Sequence, residues 1–149
     1  AYWDGLADRQ ALHKADTPCD ERAYLHFSFG AYHGHGECCW RLGDLVAAGR
    51  GCASSAARAF SLYRRAFDLE SGRIDEDRAS TGNAALRLAR AFELGRGCEQ
   101  DFRRARTWYR LAAIGLGAAF DAGQWHFKRE RIEARRGVAR MAQEIAGTY

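Results

Sequence analysis

Apolar residues along this chain recur at spacings of three and four, in runs that stop at a glycine and restart after a short polar loop. Cys39, Leu42, Leu45 and Val46 form one run that stops at Gly49; Ala85, Leu88, Ala91 and Phe92 form a second that stops at Gly95. This period belongs to amphipathic helices. A glycine at the stop suits the left-handed residue that closes a helix, and Gly51 and Gly97 let the chain reverse. A further apolar set follows each loop: Ala59, Leu62, Tyr63, Ala66 and Phe67, then Ala105, Trp108, Tyr109, Ala112 and Ala113. Each unit therefore reads as an antiparallel helix pair, with alanine and glycine where its helices approach and aromatics in the wider gaps between units.

The two units repeat each other at a shift of 46 positions, Gly49-Arg50-Gly51-Cys52 falling on Gly95-Arg96-Gly97-Cys98. Such self-similarity marks a solenoid, in which each unit buries its apolar face only against its neighbours. A degenerate unit precedes them at a shift of 36, with Ala23, Phe27, Gly30 and Ala31 on Ala59, Tyr63, Ala66 and Phe67. Its first helix is expected over Trp3 to Lys14, with Pro18 in the connecting loop. The pattern implies one domain over 1–149: a degenerate repeat at about 3–36, a repeat at 37–69, an insertion at 70–82, a repeat at 83–116, and a partial repeat with a capping helix at 117–149. The insertion either lengthens a helix or loops out. Gly117 to Phe127 resembles another first helix, and Val138, Met141, Ala142 and Ile145 make the apolar stripe of the cap. A first helix so near Ala1, with no initiator methionine and no apolar leader, reads as a processed or trimmed product that begins inside a longer array.

Composition adds little to this picture. No run approaches the roughly 20 apolar residues that span a bilayer. The net charge of +4 is almost all arginine and is spread along the chain, a weak argument for nucleic acid. The compartment is not legible, with cytoplasm favoured over periplasm. Five cysteines (Cys19, Cys38, Cys39, Cys52, Cys98) fit no metal template and read as small buried apolar residues. His33-Gly34-His35 at a helix junction lacks a placed carboxylate, and His126 reads as a packed core histidine. No nucleophile elbow or phosphate loop occurs, and no histidine lies near Cys52 or Cys98. The expectation is no enzyme, no cofactor and no metal.

In one unit the repeated residues are Cys39, Leu42, Gly43, Leu45, Val46, Gly49 and Gly51. In the next they are Ala85, Leu88, Ala89, Ala91, Phe92, Gly95 and Gly97, continuing through Ala105, Trp108, Tyr109, Ala112, Ala113 and Gly115. This pattern resembles the Sel-one-like repeat (SLR) family, relatives of the tetratricopeptide repeats. The resemblance implies an all-α fold, a right-handed α-solenoid of antiparallel helix pairs with about three repeats and a C-terminal capping helix. It implies an adaptor or scaffold that binds another protein or peptide, and alternatively a dedicated inhibitor or immunity protein that blocks a secreted toxin or enzyme. It also implies that first helices line the concave face. The residues there outside the repeat pattern would form rows: Trp40, Leu86 and Phe120; Arg41, Arg87 and Asp121; Asp44, Arg90 and Gln124. The candidate partner-binding residues are therefore Trp40, Arg41, Asp44, Arg87, Arg90, Phe120, Asp121 and Gln124. Self-association through the repeat ends or the C-terminal helix is the other option.

Overall fold

The computed structural model describes residues 17–73 and 78–147. Among the described residues six α-helices follow one another: α1 (Thr17–Tyr32), α2 (Gly36–Ala48), α3 (Ala56–Ser71), α4 (Arg78–Leu94), α5 (Phe102–Asp121) and α6 (Lys128–Gly147). A short 3-10 turn (Trp125–Phe127) separates the last two. Each helix packs against the next, and α4 also touches α2 and α6, so the stack is tighter on the side of these first helices. The architecture is an all-α helical-repeat solenoid.

The two loops of the repeat are copies of each other. Gly49 closes α2 at φ 69° and Gly95 closes α4 at φ 68°. The Arg50 N–H then donates to the Leu45 carbonyl at 2.9 Å, and the Arg96 N–H to the Ala91 carbonyl at 3.0 Å. The next helices start on Ser55 and Asp101, whose side chains accept from the N–H of Arg58 and from those of Arg103 and Arg104. Gly51 and Gly97, also left-handed, lie against the chain of the preceding unit. A Cβ at Gly51 would fall 2.5 Å from the Asp20 carbonyl oxygen, and one at Gly97 would fall 2.4 Å from that of Ala56. Asp20 and Ala56 are 36 positions apart, so α1 occupies the place of a second helix at the expected shift.

Two apolar clusters share α4. One gathers Cys39, Trp40, Leu42 and Val46 of α2 with Ala59, Tyr63 and Ala66 of α3; the other joins Leu86 and Phe92 to Tyr109, Leu116, Ala134 and Met141. Twelve of the seventeen residues of α4 are buried. Aromatic pairs bridge successive units, Phe60 with Phe92 and Phe67 with Trp108, both edge to face.

Three expectations change, those for Pro18, for Gly117 to Phe127 and for His126; one alternative is settled and one helix falls outside the described residues. Pro18 lies in the first turn of α1, not in a loop, where its missing N–H costs no helical hydrogen bond. Residues 78–81 lengthen α4 by one turn, while 74–77 lie outside the described residues. The helix over Trp3 to Lys14 also lies outside them. Gly117 to Phe127 is not a first helix: α5 runs unbroken through Asp121, and a turn at Gly123 leads into the 3-10 segment. His126 is accordingly exposed instead of buried in the core. The first-helix place is taken by α6. Moved 46 positions on, Leu42 and Leu88 become Ala134, and Leu45 and Ala91 become Gly137, both buried. Met141 completes the buried stripe, with Ala142 on the exposed side.

Gly97→Ala should lower stability by at least about 2 kcal/mol, because a left-handed alanine alone costs about 1–2 kcal/mol and its Cβ meets a carbonyl. Gly117→Ala, where a Cβ meets nothing within 4 Å, should raise stability by about 0.5–1 kcal/mol. Urea denaturation of both variants checks the opposed signs.

Candidate functional site

The face of the first helices is held by a ladder of ion pairs. Arg87 on α4 donates from Nε and Nη2 to the Asp44 carboxylate on α2, at 2.6 and 2.8 Å. Its third nitrogen, Nη1, donates to the backbone and side-chain oxygens of Asn83, and its plane lies 4.2 Å over the Trp40 ring. Arg41, paired with Glu37, stacks on the same indole at 4.5 Å. One rung further, Arg90 donates from Nε to Glu133 on α6 at 2.6 Å and from Nη2 to the other carboxylate oxygen. The rungs are related by the repeat: moved 46 positions on, Asp44 becomes Arg90 and Arg87 becomes Glu133. The geometry is kept while the charges are exchanged.

A tyrosine in α3 and another in α5 support the ladder. Tyr63 donates its hydroxyl to Asp44 at 2.7 Å, and Tyr109 donates to Glu93 at 2.5 Å. Both phenols are pushed well above their ordinary range by burial and by these carboxylates. Close packing fixes the rings: a Cβ at Gly43 would fall 2.5 Å from the Tyr63 ring, and one at Gly137 would fall 2.5 Å from that of Tyr109. Arg140 donates to both oxygens of Glu93 at 2.8 Å and holds that carboxyl below the usual range.

Beside the ladder, an open groove of about 330 Å³ lies between the C-terminal ends of α2 and α4 and the N-terminal half of α3. Phe60, Tyr63, Ala91 and Leu94 give it an apolar wall, and Arg87, Arg90 and Arg96 line it too. Leu94 is 54 % exposed. Arg96 makes no ion pair or hydrogen bond through its side chain among the described residues.

The structure brings Trp40, Arg41, Asp44, Arg87 and Arg90 onto the face shared by α2 and α4, and places Arg87 and Arg90 in the groove. Trp40, at 3 % exposure, serves as a platform for two guanidinium groups and offers no contact surface of its own. Phe120, Asp121 and Gln124 do not share that face. Phe120 and Asp121 end α5, with Arg131 over the Phe120 ring, and Gln124 lies in the following turn. Their places in the rows belong to Ile132, Glu133 and Arg136 of α6. Applying the 46-residue shift once more would have found them, but few identities mark it there, among them Arg90 with Arg136 and, over two shifts, Val46 with Val138. Phe60, Leu94 and Arg96 were missed because the groove forms only when α3 and α4 meet.

Among the described residues no three His, Cys, Asp or Glu side chains are grouped to hold a metal. Burial pushes the Cys38, Cys39 and Cys98 thiols up, against the thiolate form. All described cysteines are free, and Gly30 faces Cys38, where a Cβ would fall 2.2 Å from its Sγ. No described helix is long and apolar enough to cross a membrane.

The family model of the Sel1 repeat matches residues 36–71 and 82–114. No curated protein sequence matches the chain. Among solved structures it is similar to a Sel1 repeat protein from Oxalobacter formigenes, at TM-score 0.54 and 20% identity, over 83% of this chain and 50% of that one. It is also similar to c5321, a protective antigen of uropathogenic Escherichia coli strains displaying an SLR fold, at TM-score 0.55 and 15% identity. That match covers 95% of this chain and 29% of the antigen. The chain thus spans half the length of the first structure and under a third of the second, and at these identities the likeness shows the fold.

Two outcomes check the ladder. Asp44→Asn leaves the Arg87 guanidinium, 12% exposed, without its counter-charge, and should cost about 2–3 kcal/mol by urea denaturation. The Glu93 carboxyl lies lower in the folded than in the unfolded chain, so its contribution is complete above the ordinary glutamate range and fades as pH falls through the folded value. Glu93→Gln should therefore be less stable at neutral pH and lose less on acidification, a difference read from unfolding midpoints along a pH series.

Proposed function

Because the chain carries two Sel1 repeats, which are in general non-catalytic protein-interaction modules, we propose that it is a docking module whose α2–α3–α4 groove holds a segment of another protein. The observation that carries this reading is the exposed Leu94 beside the unpaired Arg96 on an otherwise fitted groove. An apolar wall next to an uncompensated guanidinium suits a segment that places an apolar side chain against Phe60 and Leu94 and a carboxylate on Arg96. Arg87 and Arg90 take a different role from the one their sequence positions suggest. Their charge is used on Asp44 and Glu133, so they line the groove without offering it a free counter-charge. Glutamates at both positions would set like charges against Asp44 and Glu133, and so would perturb the stack along with any ligand.

Leu94 and Arg96 give the cleaner test. A random peptide library selected on the full chain should return segments with an apolar residue next to aspartate or glutamate, binding at about micromolar strength, as expected of a short segment with few anchors. Leu94→Glu and Arg96→Glu should each weaken the best segment by about tenfold or more, which is about 1.4 kcal/mol, with the helical circular dichroism unchanged. Selected segments without acidic residues, or equal affinity for both variants, would sink the groove as the docking place.

A further inference from the structure

The outer face of α6 carries a second surface. In α2 and α4 the positions facing the second helix of the same unit are small. A Cβ at Gly36 would fall 2.4 Å from Glu70, one at Gly82 would fall 2.8 Å from Leu116, and Ala89 is fully buried. Moved 46 positions on, Gly36 and Gly82 become Lys128, and Gly43 and Ala89 become Arg135. Both are exposed. A helix of the α3 or α5 kind cannot seat against α6 at the same distance, because these side chains stand in its way.

What they form instead has a regular layout. Ile132 and Ala139 make a narrow apolar column, and Trp125, 67 % exposed, lies in the 3-10 turn just before the helix. Lys128 and Arg135 flank the column on one side, Arg129 and Arg136 on the other. Every spacing within a column is seven residues, about 10.5 Å along a helix. None of these four cations has a hydrogen bond, ion pair or ring contact through its side chain among the described residues. Arg136 stands where Asp44 and Arg90 stand in the earlier first helices, and in both of those the residue is paired with an opposite charge on the next first helix. Among the described residues the ladder thus ends on an open cationic rung.

We infer that the outer face of α6 docks an acidic amphipathic helix of a partner protein, packed against Ile132 and Ala139 with carboxylates at heptad spacing on the four flanking cations. An apolar centre between two charged columns is the arrangement by which paired helices choose their partners. A membrane surface is a poorer fit, since the apolar stripe of α6 (Ala134, Gly137, Met141) is turned inward and too little remains outside to insert. Nucleic acid would use the charge and leave the apolar column idle. The inference rests on the reading of the chain as an interaction module but on a different surface from the groove.

The test is fluorescence anisotropy on the full chain with a labelled heptad peptide, leucine and alanine on its seam and glutamate on both flanks. A permuted peptide of the same composition, a short DNA duplex and phosphatidylserine vesicles are the comparison probes. The heptad peptide should bind best, and the permuted one at least about tenfold more weakly. Arg129→Glu/Arg136→Glu, and independently Ile132→Asp, should each weaken the heptad peptide by about tenfold or more, while Leu94→Glu in the groove leaves it unchanged. Circular dichroism and melting of each variant confirm folding, which these exposed, unpaired positions do not endanger. Equal binding of the permuted peptide, tighter binding of DNA or vesicles, unaltered affinity of both α6 variants, or no binding of any probe would overturn the inference. Loss in Leu94→Glu alone would return the peptide to the groove.

Discussion

Everything in this stack depends on how closely α4 is approached from either side. A Cβ at Gly115 of α5 would fall 2.9 Å from the Arg78 carbonyl and 3.0 Å from the Gly82 backbone, so there the two helices meet almost chain to chain. That contact fixes α5 against α4, and α5 in turn receives α6. On the other flank, Ala84 and Leu88 close the cluster built by α2 and α3. One helix therefore serves two cores, and a fault in its small residues would be felt in both. Interiors packed to crystal-like density leave no slack to absorb it.

With the helices so fixed, the polar chemistry divides into two kinds. Arginines within reach of a neighbouring first helix are consumed by carboxylates and aromatic planes, as Arg87, Arg90 and Arg140 are. Arginines and lysines beyond that reach, Arg96 at the groove and the four outward cations of α6, have no such side-chain partner among the described residues. Residue type does not separate the two kinds; distance to the next unit does. A half-buried bidentate pair is a part of the fold, whereas an exposed guanidinium beside an apolar edge keeps its planar fork of donors open.

The sequence made the repeat legible because its geometry demands particular residues: glycine at 49, 51, 95 and 97, and alanine or tyrosine where helices cross. It failed from 117 to 127 for the same reason. Gly117, Ala119, Ala122 and Gly123 imitate the small-residue rhythm of a first helix, yet they continue α5 and end it. The true first helix, α6, keeps the register with almost none of the residue identities, since only Ala134, Gly137, Val138 and Met141 need to be small or apolar there. The rows of charged residues could be drawn for α2 and α4 from periodicity. Which charges would be spent on each other could not, because pairing is set by separations between units that no local pattern encodes.

The exchanged charges of the two rungs also write an order into the stack. Were α4 of a second molecule to take the place of α6, its Arg87 would meet Arg90, and two guanidinium groups would share a rung built for opposite charges. Tandem units with near-identical loops are otherwise prone to join in the wrong sequence or to trade helices between chains. Here a single inversion of sign distinguishes the rightful neighbour from its look-alike, and gives an almost repetitive molecule a sense of direction.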